Sequence, residues 1–211
     1  MIKHPVSVAG ILLALFATAG TALVAVTNEL TAEKIADNER QALLRSLTAL
    51  VPADTIDNDI VTDTRLISEK ALLGDDQTLV YLGRNKGEPV AAVFSSMVPN
   101  GYSGPIKMLV AVKVDGTLGG VRVVSHKETP GLGDKVEEQR SDWIFSFNGK
   151  SLSNPALSDW KVKKDGGQFD QFTGATITPR AIVNGVKNTL LYYQNQGKSL
   201  FLKSDKAAKD E

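Results

Sequence analysis

The sequence predicts an α+β architecture, with one N-terminal transmembrane helix followed by an antiparallel-sheet domain carrying packed helices. Three observations predict it. Val6 to Val26 holds no charged residue; four segments rich in Val and Leu follow, separated by turn residues; and Thr178-Pro179 opens a C-terminal helical pattern. The 211 residues suit a single hydrophobic core with a short appendage.

The run from Val6 to Val26 meets the roughly 20 residues that a helix needs to cross a bilayer core. Its polar members, Ser7, Thr18 and Thr21, can bond back within the helix, and Gly10 and Gly20 would let another helix approach. A cleaved signal peptide also begins with a positive residue such as Lys3, but its apolar core is only about 7–15 residues. An uncleaved anchor is therefore expected. Lys3 precedes the span and Glu29 is the first charge after it, which places the N-terminus in the cytoplasm and the remaining chain outside.

From Leu30 to Leu50 the apolar residues Ile35, Leu43, Leu47 and Leu50 recur at helical spacing among charged ones, so an amphipathic connector is expected to end before Pro52. Strands are expected at Thr78–Leu82, Pro89–Ser95, Ile106–Val114 and Gly119–Ser125. Asn85-Lys86-Gly87 and Asp115-Gly116 supply residues that tolerate tight turns, and two hairpins are the simplest pairing. Asp134 followed three residues later by Glu137 suggests a capped helix reaching Phe145. Thr178 as N-cap with Pro179 at the first position predicts a last helix running to Gln196, buried along Val183, Val186 and Leu190 and stopped by Gly197. Ser204 to Glu211 reads as a frayed, charged tail.

Composition excludes several functions. The 24 Lys+Arg balance 24 Asp+Glu, leaving no basic field for nucleic acid. The chain has no cysteine, which removes disulfides, thiolate nucleophiles and Cys-ligated metal clusters. With His4 and His126 as the two histidines, a histidine-rich metal site is excluded as well. A hydrolase would need Thr173 or Thr176 as nucleophile with His126 as base, but His126 reads better as a hydrogen-bonding residue.

The most informative segment is Asp170-Gln171-Phe172-Thr173-Gly174-Ala175-Thr176-Ile177-Thr178. Three threonines flank the small pair Gly174-Ala175 beside a helix start, whose free N–H groups and positive dipole end suit a phosphate. On physics alone the same residues also describe a capped helix after a glycine turn.

Asp170, Thr173, Gly174, Ala175, Thr176 and Thr178 match every defining position of the flavinylation motif, so the segment resembles the covalent FMN-binding domain family. The resemblance implies that a flavin transferase takes FMN from FAD, attaches it through its phosphate to Thr176 and releases AMP. Asp170 and the flanking hydroxyls would serve transferase recognition. Upstream, Glu128-Thr129-Pro130-Gly131-Leu132-Gly133 is similar to a second element of that family, which implies that this turn lines the flavin. Gly101-Tyr102-Ser103-Gly104 fits the same layout but is by itself a generic turn.

With the anchor, these elements resemble the G-subunit family of the Rnf electron-transport complex over nearly the whole chain. The C subunits of sodium-translocating NADH:quinone reductases share both motifs but are usually longer, and they form the alternative, beside a membrane-anchored sensory or scaffold domain without redox chemistry. The Rnf resemblance implies an electron-relay subunit in a bacterial inner membrane, without turnover of its own, partnered by other integral-membrane and redox subunits, membrane lipid and, during maturation, the transferase. The expected organisation is residues 1–28 as cytoplasmic N-terminus and anchor, 29–52 as connector, 53–203 as periplasmic FMN-binding domain and 204–211 as tail.

Overall fold

The computed structural model describes residues 5–202; Lys3, His4 and the Ser204–Glu211 tail lie outside the described residues. The chain divides after Arg45 into two units.

The first unit is carried by helix α1 (Pro5–Leu50), long and apolar enough to cross a membrane. Its 46 residues extend roughly 69 Å, more than twice a bilayer core. The span and the connector are therefore one helix: nothing between Val26 and Leu50 breaks it, and Thr27 and Thr31 return their hydroxyls to the carbonyls of Leu23 and Thr27 at 2.8 and 2.7 Å. The connector's apolar stripe is buried only in the last turn, at Leu47 and Leu50, whereas Ile35 stays exposed.

The second unit begins at Ser46 and is built on a five-stranded antiparallel meander, β1 (Thr64–Ile67), β2 (Thr78–Asn85), β3 (Glu88–Val98), β4 (Ile106–Lys113) and β5 (Leu118–Ser125), paired in chain order. Two separate hairpins were too few: β3 also pairs with β4, from Ala91↔Lys113 to Val98↔Ile106, and β1 adds an edge through Thr64↔Tyr81. One face presents Leu82, Phe94, Met108, Val110 and Val121 to the main core. Alternation turns Tyr81, Val93, Leu109 and Ala111 to the other face, where they too are buried. A Cβ on Gly120 would come within 3.0 Å of Leu50, so the chain entering this unit packs on β5.

Helix α2 (Lys70–Leu73) and helix α3 (Ile177–Leu200) complete the unit, with 3-10 turns between β5 and α3. Ile182, Val183, Val186 and Leu190 of α3 are buried against the sheet as their spacing predicts. Contact is closest at Gly185, where an added Cβ would lie 2.5 Å from Val98 and 2.7 Å from Met108.

Both boundaries of α3 differ from expectation. It starts at Ile177 after Thr176, so Thr178 lies inside the helix and does not cap it. It also passes through Gly197, buried against Tyr193, to end at Leu200. Nor does Asp134 cap a helix: Gly133–Val136 and Asp142–Phe147 are separate 3-10 turns, the second capped by Ser141, which accepts from the Trp143 N–H at 3.2 Å.

Candidate functional site

At the N-terminal end of α3 the sequence reverses direction in a tight turn. Ala175 N–H donates to the Phe172 carbonyl at 3.2 Å, and Gly174 between them adopts φ 84°, which an L side chain rarely takes. The turn is fixed from below by Phe172, buried edge-on against Trp143 at 5.1 Å, and from the side by Trp143 Nε1, which donates to the Asp170 carbonyl at 2.8 Å. The Asp170 carboxylate is exposed and pairs with Lys163 at 2.6 Å.

The three threonines of this segment occupy different environments. Thr173 is exposed, and Thr178 is fully buried and donates to Glu128 Oε2. Thr176 is half-buried, immediately precedes α3 and makes no capping bond to it. Its hydroxyl sits where the helix presents unpaired N–H groups and its positive end.

The Thr129–Gly133 loop lies against this turn. Thr129 O accepts from both Leu132 and Gly133 N–H at 3.1 Å, and Gly131 takes φ 78°. A Cβ on Gly174 would approach Leu132 Cδ2 to 3.2 Å, which brings the two sequence motifs into contact. Thr129, Pro130, Gly131 and Leu132 are exposed, whereas Gly133 is buried.

One carboxylate joins three segments. Glu128, 5% exposed, accepts from Ser103 N–H at 3.0 Å through Oε1 and from the Thr178 hydroxyl through Oε2. Gly101 and Gly133 crowd the same group, since a Cβ on either would come within 2.9 or 2.8 Å of a Glu128 oxygen. The generic turn Gly101–Gly104 is thus part of the site, a role that no local signal could give it. The spacings of 25 and 50 residues in these bonds are invisible to a reading by windows.

His126 makes no hydrogen bond to Thr173 or Thr176. Its Nδ1 accepts from the Glu128 N–H at 3.0 Å, and its Nε2 faces Glu137 Oε1 at 2.7 Å. Both nitrogens are engaged in these contacts, and neither bonds a threonine hydroxyl of the motif. Beside the turn, Arg180 holds Asp165 through two bonds of 2.6 and 2.8 Å, and this guanidinium pushes the Asp165 carboxyl below the usual carboxylate range. Among the described residues, no group of three or more His, Asp or Glu side chains is disposed to hold a metal ion.

These residues fit an FMN phosphate at Thr176. The half-buried hydroxyl lies at a helix N-terminus, small Gly174 and Ala175 leave the turn accessible, and exposed Leu132 and Ile177 provide apolar surface for a flat ring. A cavity of about 700 Å³ lies elsewhere, at the other end of α3, lined by Leu190, Tyr193, Lys198 and Phe201. It begins roughly 21 Å along the helix from Thr176.

Residues 101–191 match the FMN-binding domain, and residues 1–50 match the RnfG N-terminal region. The G subunit of the ion-translocating oxidoreductase complex of Pseudoalteromonas atlantica is 48% identical over 204 residues, covering 96% of this chain and 95% of that protein. The G subunit of the same complex in Photorhabdus laumondii is 49% identical over 185 residues, 88% of each. A solved structure, the C subunit of the Na(+)-translocating NADH-quinone reductase from Parabacteroides distasonis, aligns over 70% of each chain at 25% identity with a TM-score of 0.45. Near-complete coverage at almost half identity, with the N-terminal region and the FMN-binding domain both matched, makes this chain a member of the G-subunit family of ion-translocating oxidoreductase complexes.

Proposed function

We propose that this chain is an electron-relay subunit of a membrane-bound, ion-translocating oxidoreductase complex and carries FMN as a phosphoester on Thr176. The observation that carries the acceptor assignment is the contrast among the three threonines. Thr178 is fully buried and bonded to Glu128, Thr173 projects from the turn, and Thr176 alone combines partial exposure with the first position before α3.

When bound, FMN supplies one- and two-electron redox chemistry, which no side chain here offers. The protein's part is to bind and position. The helix N-terminus stabilises phosphate charge, Leu132 and Ile177 offer apolar contact, and Glu128 keeps the two motif loops in register with the Gly101–Gly104 turn. Exposed Asp170 and Thr173 remain available to a flavin transferase that draws FMN from FAD. Such a subunit has no turnover of its own, because its donor and acceptor belong to other subunits of the complex.

Thr176→Ala tests the acceptor. In cells that contain a flavin transferase, it abolishes in-gel flavin fluorescence of the denatured chain and lowers intact mass by the missing FMN. Folding stability should shift by no more than about 0.5 kcal/mol, since the lost hydroxyl makes no capping bond. Equal fluorescence from variant and wild type would sink the assignment.

We further propose that α1 is an uncleaved single-pass anchor in the bacterial inner membrane, with the FMN domain periplasmic. The apolar length of α1 and the position of Lys3 before it support this orientation. Protease added to spheroplasts should digest the fragment bearing Thr176. Protection of that fragment would reverse the orientation, and a mature N-terminus near Thr27 would remove the anchor.

A further inference from the structure

The second motif loop hangs from a neutral histidine. Glu128 N–H donates to His126 Nδ1 at 3.0 Å, and a nitrogen that accepts carries no proton. The ring proton therefore resides on Nε2, where Glu137 Oε1 accepts it at 2.7 Å. The His126 side chain is only 10% exposed, so water does not readily replace either partner.

The charged groups around the ring come from two directions. On the side of the 3-10 turns are Glu137 and, one step beyond, Arg140, which stands 3.7 Å from both Glu137 and Asp134. On the β5 side Lys127 is exposed, Arg122 pairs with Glu138 at 2.6 Å, and the Glu128 carboxylate is occupied by Ser103 and Thr178. Protonating Nδ1 would set two N–H groups against each other, and Glu128 would lose the acceptor of its amide. The same proton would strengthen attraction to Glu137, drawing the ring toward the 3-10 turns.

We infer that His126 is a pH-responsive positioning residue: neutral, it fastens Glu128 and with it the Thr129–Gly133 loop, and protonated, it releases them. It is not a proton relay. Its contact to Glu128 runs through the backbone amide, and no hydrogen bond joins the imidazole to the Glu128 carboxylate. The link between loop and cofactor rests on the FMN reading above, whereas the fastening itself does not.

The test uses the full chain in nanodiscs, first produced without a flavin transferase. Imidazole 15N shifts, assigned by the signal lost in His126→Asn, should show the Nε2–H tautomer at pH 8. Between pH 8 and pH 5, the interval in which imidazoles titrate, hydrogen exchange of residues 127–134 is measured and corrected for its intrinsic pH dependence. Wild type should lose protection about tenfold, the scale of one hydrogen bond, at the same midpoint as the imidazole signal. His126→Asn, whose Oδ1 can accept at the place of Nδ1 without titrating, should stay protected throughout. An Nδ1–H tautomer, or wild-type protection that stays flat across the titration, overturns the inference. In the flavinylated chain the same pH step should change the flavin absorption spectrum in wild type and not in His126→Asn. A loop that responds while the spectrum does not would detach the loop from the flavin and leave the fastening intact, so the two failures are told apart.

Discussion

The aromatic core beside α3 and the motif end at its N-terminus are held together by different physics. In the core, Phe147 stacks on Phe169 at 4.8 Å, Trp160 lies 5.0 Å from Phe169, and Trp143 meets Phe147 edge-on at 5.3 Å. This stabilisation is spread over many contacts of broad, buried rings. At the motif end, Glu128 holds Ser103, Thr178 and their two segments by two hydrogen bonds. Such a hub is specific but has no redundancy, so removing it leaves the buried Thr178 hydroxyl without its partner. Trp143 joins the regions, with its ring in the aromatic cluster and its Nε1 on the Asp170 carbonyl. The core thus decides whether the domain folds, and the hub decides how accurately the turn around Thr176 is placed.

The strongest way to break this contrast is Phe147→Ala. Phe147 is fully buried, and the deletion should cost about 3–5 kcal/mol in denaturant unfolding of the full chain. Protein that remains folded should still accept flavin, because the acceptor turn keeps Trp143, Glu128 and Thr178. Loss of flavinylation in folded Phe147→Ala protein would show that the core and the turn are not separable.

A finer test acts on the hub. Glu128→Ala strands the buried Thr178 hydroxyl and leaves the N–H of exposed Ser103 to water, at a cost of about 1–3 kcal/mol. Glu128→Gln should cost less, because its amide oxygen can accept from Ser103 while its NH2 donates to a rotated Thr178 hydroxyl. Chemical denaturation ranks the pair. If Gln were as damaging as Ala, the negative charge, and not the hydrogen-bond pattern, would be what this position requires.

Legibility in the sequence divided along the same line. The Val6–Val26 run and the α3 stripe were readable because composition and period report directly on what surrounds a helix. The four Val-rich strands were found within a few residues, but β1 was missed: Thr64–Ile67 is a four-residue edge strand containing Arg65, with Leu66 exposed, and it carries almost no apolar signal. Thr178 was misplaced for a tertiary reason. Local rules make Thr-Pro a helix start, whereas the fold buries that hydroxyl on a carboxylate 50 residues away. Gly197 failed likewise: local rules end a helix there, whereas α3 runs on to Leu200 with Gly197 buried beside the Tyr193 ring one turn back. The motif residues could be named from resemblance, but only the fold brings them together on Glu128, across 25 and 50 residues of sequence.

The smallest expected effect belongs to the exposed rim of the motif end. Arg180 lies in the first turn of α3, where a positive charge opposes the helix dipole, and Asp165 offsets it by gripping the guanidinium at 2.6 and 2.8 Å. The hydrogen bond from Arg180 holds the Asp165 carboxyl below its ordinary range, so the folded state favours the ionised form. A depressed folded-state value gives stability that is present above the unfolded value of about 3.9 and is lost as pH falls through the folded one. The Asp165→Asn variant should therefore melt slightly below wild type at pH 7, with the gap closing only as acid is added below about pH 4. Both side chains are partly exposed, so 1 M salt should shrink the gap at neutral pH. A gap that widened in acid, or one insensitive to salt, would mean that the ion pair with Arg180 is not what Asp165 contributes.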